Sequence, residues 1–312
     1  MDWADRIGRR IRLRDLHIVL AVAECGSMSK ASERMAISHP VVSKTISDLE
    51  HSLGVRLFDR NSKGVELTAY GRALLNCGNV VFDEMRQGLK QIEYLAHPDS
   101  GDLRIGCPEV EIAGIIPGVV EQFTEKYPRV RLQVIHANTS MLQFDELRSR
   151  NVELIIGRVP NPFMEDDLAL ENLFTESLVA VAGRDSPWHR RRHLTLSKLI
   201  HEPWVLPPYD SLRGPLVAGF FRSNKLEPPH ASIATLSLQL TTALVATGRF
   251  LGFVPLSVAR SSGAQVGVTV LPLKIPAHRF AIDIITVKNR TLGPLAKLFI
   301  GCAREVVRLV AT

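Results

Sequence analysis

Apolar residues recur at Val42, Ile46, Leu49 and Leu53, at steps of four, three and four. That period puts them on one face of an α-helix over 39–53. The other face carries Ser43, Lys44, Thr45 and Ser47. It is small, polar and short of acids, a surface that a DNA major groove accommodates. Pro40 suits a first helical turn, and Ser38 before it suits a cap. Leu13, Leu16, Leu20 and Ala23 predict an amphipathic helix over 11–25, and a short helix follows over 29–36. By periodicity alone, an ordinary surface helix pair fits equally well. The next run, VRLFDRNSKGVELT, predicts a two-stranded wing. Val55, Leu57 and Phe58 anchor one strand, 61–64 make the turn, and Val65 and Leu67 return. Arg56, Arg60 and Lys63 then stand where a wing meets phosphates, with plain solvation as the alternative.

From 68 to 96 the pattern is a heptad. Leu75, Gly78, Phe82, Met85, Leu89, Ile92 and Ala96 alternate steps of three and four. Asn79, Asp83, Glu84, Arg86, Gln87, Lys90 and Glu93 make the other side polar. A single apolar seam with a wet back predicts a partner helix, most simply from a second copy, with Leu75, Phe82, Met85, Leu89 and Ile92 in the dimer seam. HPDSG at 97–101 ends the helix and marks a hinge.

Beyond 102 strands and helices alternate. LRIGCP, VRLQVIHA and VELIIGR read as strands; EIAGIIPGVVEQFTEKYP and TSMLQFDELRSRN read as helices. That βαβαβ order predicts a parallel sheet. After a Pro- and Asp-rich loop at 159–167, ESLVAVAG opens a second unit, with WVLP, HASIAT and GFVP as short strands. FAIDIITVK and a last helix close the chain. Two α/β lobes place a cleft at the carboxyl ends of strands. Its expected lining is Pro108, Glu109, Thr139, Ser140, Arg158, Tyr209, Ser211, Thr235, Ser237 and Phe253. Thr139 and Ser140 begin a helix and suit a ligand oxygen, or serve as ordinary caps.

Composition changes this picture little. Net charge is +6, but residues 1–66 hold eleven Lys/Arg against nine Asp/Glu, so overall charge supports a polyanion partner only weakly. Cys25, Cys77, Cys107 and Cys302 form no CxxC pair and suit a reducing compartment. Arg9, Arg10 and Arg12 before LHIVLAVA imitate an export signal, but the apolar run is short and Asp15 stands ahead of it. No stretch reaches the roughly 18 apolar residues of a membrane helix. GxSxG, HExxH, P-loop and dinucleotide fingerprints are absent, which argues against an enzyme, a cofactor or a metal.

The whole chain resembles a LysR-type transcriptional regulator. The specific part is 13–72, above all GSMSKASERMAISHPVVSKTISDLEHSLGVRLFDR, with Leu67, Thr68 and Gly71 at the entry to the linker helix. The segments SHPVVSKTISDLE and FDEMRQGLKQIEYL further resemble regulators of sugar-uptake or aromatic-acid catabolism genes. The resemblance implies a winged helix-turn-helix at 1–67, a coiled-coil linker helix at 68–97 and a two-lobed, periplasmic-binding-protein-like α/β effector module at 98–312. Lobe I takes 102–165 and 277–312, lobe II 166–276. It implies a cytoplasmic, effector-controlled DNA-binding regulator that forms a dimer, then a dimer of dimers (a homotetramer). Its expected partners are promoter or operator DNA, a small metabolite and RNA polymerase, with no membrane.

The expected DNA contacts are Ser38, His39, Pro40, Val41, Ser43, Lys44 and Ser47, with Arg34, Arg56, Arg60 and Lys63 on the backbone. Many relatives have Gln at position 39 and Arg at position 44, so the preferred half-site is expected to differ. Relatives often place Ser or Thr where Pro108 and Glu109 stand, so a simple anion pocket is in doubt here. The alternatives are a solute-binding protein without a transcriptional role, or an α/β enzyme with an appended interaction helix.

Overall fold

The computed structural model describes residues 11–61, 64–98, 100–136, 146–159, 166–191, 193–211, 213–263, 267–273 and 279–311. The chain divides into two compact units, Met1–Leu89 and Lys90–Thr312.

The first unit begins with α1 (Leu13–Cys25), α2 (Met28–Arg34) and α3 (His39–Leu53). The Asp15 carboxylate accepts the Arg12 N–H at 3.0 Å and closes the first turn of α1. Ser27 caps α2, and Pro40 lies in the first turn of α3. Ser38 holds the cap position of α3, but its hydroxyl makes no capping hydrogen bond, contrary to the expectation for it. Val42, Ile46 and Leu49 are buried among Ile18, Val22, Ala31 and Leu57. The wing pairs β1 (Phe58–Asn61) with β2 (Gly64–Leu67) antiparallel.

Glu50 ties α3 to the wing. One carboxylate oxygen accepts the N–H of Leu57 at 2.7 Å and of Phe58 at 3.2 Å. The helix α4 (Ala69–Ala96) then starts against the carbonyl of Leu57, which accepts from the Thr68 N–H at 3.0 Å.

The heptad stripe of α4 splits in two. Gly78 and Phe82, expected in a seam with a second copy, face the chain's own α1. A Cβ at Gly78 would meet Leu20, and the Phe82 ring lies 5.6 Å from that of His17. On the polar side Asp83 and Gln87 are buried rather than wet. Met85, Leu89 and Ile92 remain exposed, Leu89 at 59% and Ile92 at 64%. An exposed apolar stripe of this kind marks an association surface. The double substitution Leu89→Asp/Ile92→Asp is therefore expected to lower the oligomeric mass in light scattering. Phe82→Asp is instead expected to loosen the packing of α4 on α1. An unchanged mass in the double variant would remove this stripe from self-association.

The second unit contains β3 (Ser100–Cys107), α5 (Glu109–Ala113), α6 (Ile116–Lys126), β4 (Arg129–His136), β5 (Leu154–Gly157) and β6 (Leu168–Gly183). There follow β7 (Trp204–Leu206), α7 (Gly214–Ser223), β8 (Ile233–Ala234), α8 (Leu238–Ala246), β9 (Leu251–Pro255), β10 (Val268–Val270), β11 (Arg279–Val287) and α9 (Pro294–Ala311). The single helix expected over 111–128 breaks at Gly114, whose backbone is non-helical.

The strands follow the order β4-β3-β5-β11-β6-β9-β7-β8, with β10 also on β6. The three strands of the βαβαβ run pair parallel, as that order predicts, and the full sheet is mixed because later strands join it antiparallel. β3 pairs parallel with β4 and β5, while β11 runs antiparallel to both β5 and β6. The long strand β6 belongs to both lobes: 168–177 pairs with β11, and 178–182 with β9. The lobe boundary thus falls inside β6, about twelve residues beyond the expected 165/166 division. Lobe I packs Leu103, Ile105, Phe123 and Phe299 into its core. Lobe II packs Trp204, Phe220, Phe221 and Phe253. No helix among the described residues is long and apolar enough to cross a membrane.

Candidate functional site

Two surfaces bring chemistry-bearing side chains together. The first is the outer face of α3. The buried triad Val42, Ile46 and Leu49 fixes which way the helix turns, so Ser38, His39, Pro40, Val41, Lys44 and Ser47 are exposed and Ser43 is half-buried. Val41 keeps 39% of its surface in solvent, an apolar side chain at the end that would enter a groove. Arg56 is exposed at the root of the wing. Arg34 is placed differently from expectation: its guanidinium pairs with Glu24 of α1 at 2.5 Å. Lys63 and the side chain of Arg60 lie outside the described residues.

The second surface is the cleft between the lobes. Pro108 follows β3 at the cap position of α5, and Glu109 opens that helix. One Glu109 oxygen, Oε1, crosses to lobe II and accepts the N–H of Gln239 at 3.1 Å, in the first turn of α8. Ser237 caps the same helix, accepting the Leu240 N–H at 3.2 Å, and Thr235 accepts the Ser237 N–H at 3.1 Å. Arg213, just ahead of α7, donates to the carbonyl of Leu236. Burial depresses its pKa, while Glu109 and Glu111 act against that.

Glu111 lies inside, only 5% exposed, and its Oε2 has no hydrogen-bond partner. Burial pushes its carboxyl up to about 8. Glu176 adds to the rise, while a hydrogen bond to its own backbone and Arg213 oppose it. The Cys107 thiol beside it is raised too, chiefly by burial and then by Glu111. Glu176, also buried, accepts the N–H groups of Ser177 at 2.8 Å and Ser257 at 3.4 Å.

The remaining candidates separate. Arg158 is half-buried, with its guanidinium 5.4 Å from the centre of the Phe280 ring, and burial lowers its pKa. Phe253 is a core residue, 6% exposed and stacked on Trp204 at 5.2 Å. Ser211 is spent on its own turn, accepting from Gly214 N–H at 3.0 Å and donating to the Pro208 carbonyl at 2.6 Å. Tyr209 is exposed and receives a hydrogen bond from Arg222 at 3.2 Å. Thr139 and Ser140 lie outside the described residues. Sequence reasoning missed Arg213, Glu111 and Glu176. The pattern Glu-Val-Glu at 109–111, directly after an apolar strand, was the one local signal for the second carboxylate.

Comparison with known proteins agrees with this architecture. The model of the LysR substrate binding domain matches 96–308, and that of the bacterial regulatory helix-turn-helix protein, lysR family, matches 13–72. The chain is 29% identical over 307 residues to the uncharacterized HTH-type transcriptional regulator YdcI of Escherichia coli (strain K12), covering 98% of this chain and 99% of that one. Full-length OxyR from Pseudomonas aeruginosa shares the fold, with a TM-score of 0.65 at 23% identity, covering 96% of this chain and 95% of that one. So does full-length CbnR in complex with its target DNA, with a TM-score of 0.56 at 23% identity over 95% and 99% of the two chains. With a lysR-family reading head at one end and the substrate-binding module over two thirds of its length, the chain belongs to the LysR family of DNA-binding, effector-responsive transcriptional regulators.

Proposed function

We propose that α3 reads operator DNA and that a small metabolite held at the interlobe strand ends adjusts the reading. Val41, Ser43, Lys44 and Ser47 face the bases, with Ser38, His39 and Pro40 at the groove entrance. Arg34, Arg56, Arg60 and Lys63 serve the phosphates, which position the head without specifying sequence. For Arg34 that role requires exchanging Glu24 for a phosphate. In the cleft, Pro108, Glu109, Thr139, Ser140, Arg158, Thr235 and Ser237 surround the ligand. Tyr209 and Ser211 shape its rim, and Phe253 supports it from the core. The chain acts in the cytoplasm as a self-associating regulator that catalyses no reaction. RNA polymerase is the partner that would convert its occupancy into transcription. Ligand control is an equilibrium shift, so the ligand must bind two arrangements of the protein unequally.

The observation that carries this reading is α3 itself: an inward face held by buried Val42, Ile46 and Leu49, backed by a small, polar, largely exposed one with a single lysine. Lys44→Glu reverses the charge on that face and touches nothing in the core. Footprinting of the DNA flanking the gene, with circular dichroism of the same protein, is the test. Protection is expected to vanish while helicity stays. Normal protection by a folded Lys44→Glu protein would take α3 out of the reading role.

A further inference from the structure

We propose that the interlobe cleft takes a small molecule with a cationic head, such as an ammonium or guanidinium group, and turns carboxylates away. The inference rests on the reading of this cleft as the effector site. A helix N-terminus facing a cleft is an anion seat, because its first N–H groups lack intrahelical acceptors. At α8 that seat is filled from within. The Gln239 N–H donates to Glu109 and the Leu240 N–H to Ser237. An incoming carboxylate would have to expel the Glu109 carboxylate, which shares the Arg213 guanidinium with Glu111.

Glu111 shows what the site lacks. It is buried, and one of its carboxyl oxygens has no partner. Buried polar atoms are seldom left so, because the cost of losing water is not returned. The ionisable groups acting on it are Glu176 of β6, Arg213 ahead of α7 and Cys107 of β3, with Glu109 two residues back on α5. Glu109 and Glu111 thus share one guanidinium, which already donates to the Leu236 carbonyl, while Glu176 adds a further acid against Glu111. The missing element is a positively charged donor. When one arrives, Glu111 gives its proton to solvent and its carboxylate accepts the donor's N–H. The carboxyl, held up to about 8 chiefly by burial, then ionises at neutral pH.

Two probes with the same carbon skeleton and opposite heads test this on the full chain: n-butylammonium and butyrate, at equal ionic strength. Calorimetric titration of the wild type is expected to give heat with butylammonium and none with butyrate. Glu111→Gln keeps the shape and is expected to weaken butylammonium by about tenfold to a hundredfold, the range for losing a hydrogen bond to a charged group. Glu109→Ala vacates the seat at α8 and is expected to gain a response to butyrate. If Glu109→Ala fails to fold, Glu109→Gln serves, since it removes the charge with little change in shape.

Butyrate binding to the wild type, or equal butylammonium binding by wild type and Glu111→Gln, would overturn the inference. So would the absence of heat with both probes. Butylammonium binding that leaves the operator footprint unmoved would sink the effector reading alone and leave the cation site standing.

Discussion

Gly71→Ala is expected to unfold the DNA-reading head. A Cβ on Gly71 would lie 2.1 Å from the carbonyl oxygen of Leu57 and 2.8 Å from the Leu67 side chain. The side chain could swing away, but the carbonyl cannot. It accepts from the Thr68 N–H at 3.0 Å and from the Thr68 hydroxyl at 3.2 Å, and that hydroxyl also holds the Arg56 carbonyl at 2.7 Å. Thr68 in turn accepts the Gly71 N–H at 3.0 Å, so the added methyl meets a closed network. Alanine is the better helix former by roughly 1 kcal/mol. Overpacking costs about 1–3 kcal/mol even where side chains give, and more where backbone must move. Destabilisation therefore wins. Thermal unfolding together with operator affinity measures it, and a wild-type melting temperature in Gly71→Ala would show that β1 and α4 are not locked at this point.

The second large effect is a pH dependence. Glu111 has its carboxyl raised from 4.5 to about 8 in the fold, first by burial. Between those values the folded chain keeps a proton that the unfolded chain has lost. Stability from this group is therefore fully present below about 4.5 and is lost as pH rises through about 8. At about 1.4 kcal/mol per unit the loss amounts to a few kcal/mol. Glu111→Gln cannot ionise, so its stability should stay flat across that window. Denaturant titrations at several pH values should show the variant more stable than the wild type on the alkaline side, with the gap closing toward acid. Parallel curves would mean that Glu111 titrates as a solvated carboxylate.

Much of the reading head was legible because its determinants are local. The four-three-four spacing from Val42 to Leu53 sets the inward face of α3 without reference to anything distant. The two wing strands, Phe58–Asn61 and Gly64–Leu67, lie almost side by side in the sequence. The heptad of α4 was legible as a stripe, but not by owner. The same spacing serves a partner copy at Leu89 and the chain's own α1 at Phe82, and only packing tells them apart. Arg34 carried a similar ambiguity, since a basic residue on a helix end suits a phosphate or, as here, Glu24.

In the second unit the alternation of strands and helices was visible, while strand order and lobe boundary were not. Leu168–Gly183 reads locally as a loop edge and a strand; its two halves are assigned to different lobes by β11 and β9, more than seventy residues downstream. The cleft is the extreme case. Glu109 and Gln239 stand 130 residues apart, and neither neighbourhood announces the other.

The sequence by itself determined the helices, the wing, the two-lobed alternation and the family pattern, because hydrophobic period and turn chemistry act over a few residues. Only the tertiary structure decided which carboxylate fills the helix N-terminus and which acid is buried without a partner. Solvation and charge pairing depend on what the whole fold brings within a few ångströms.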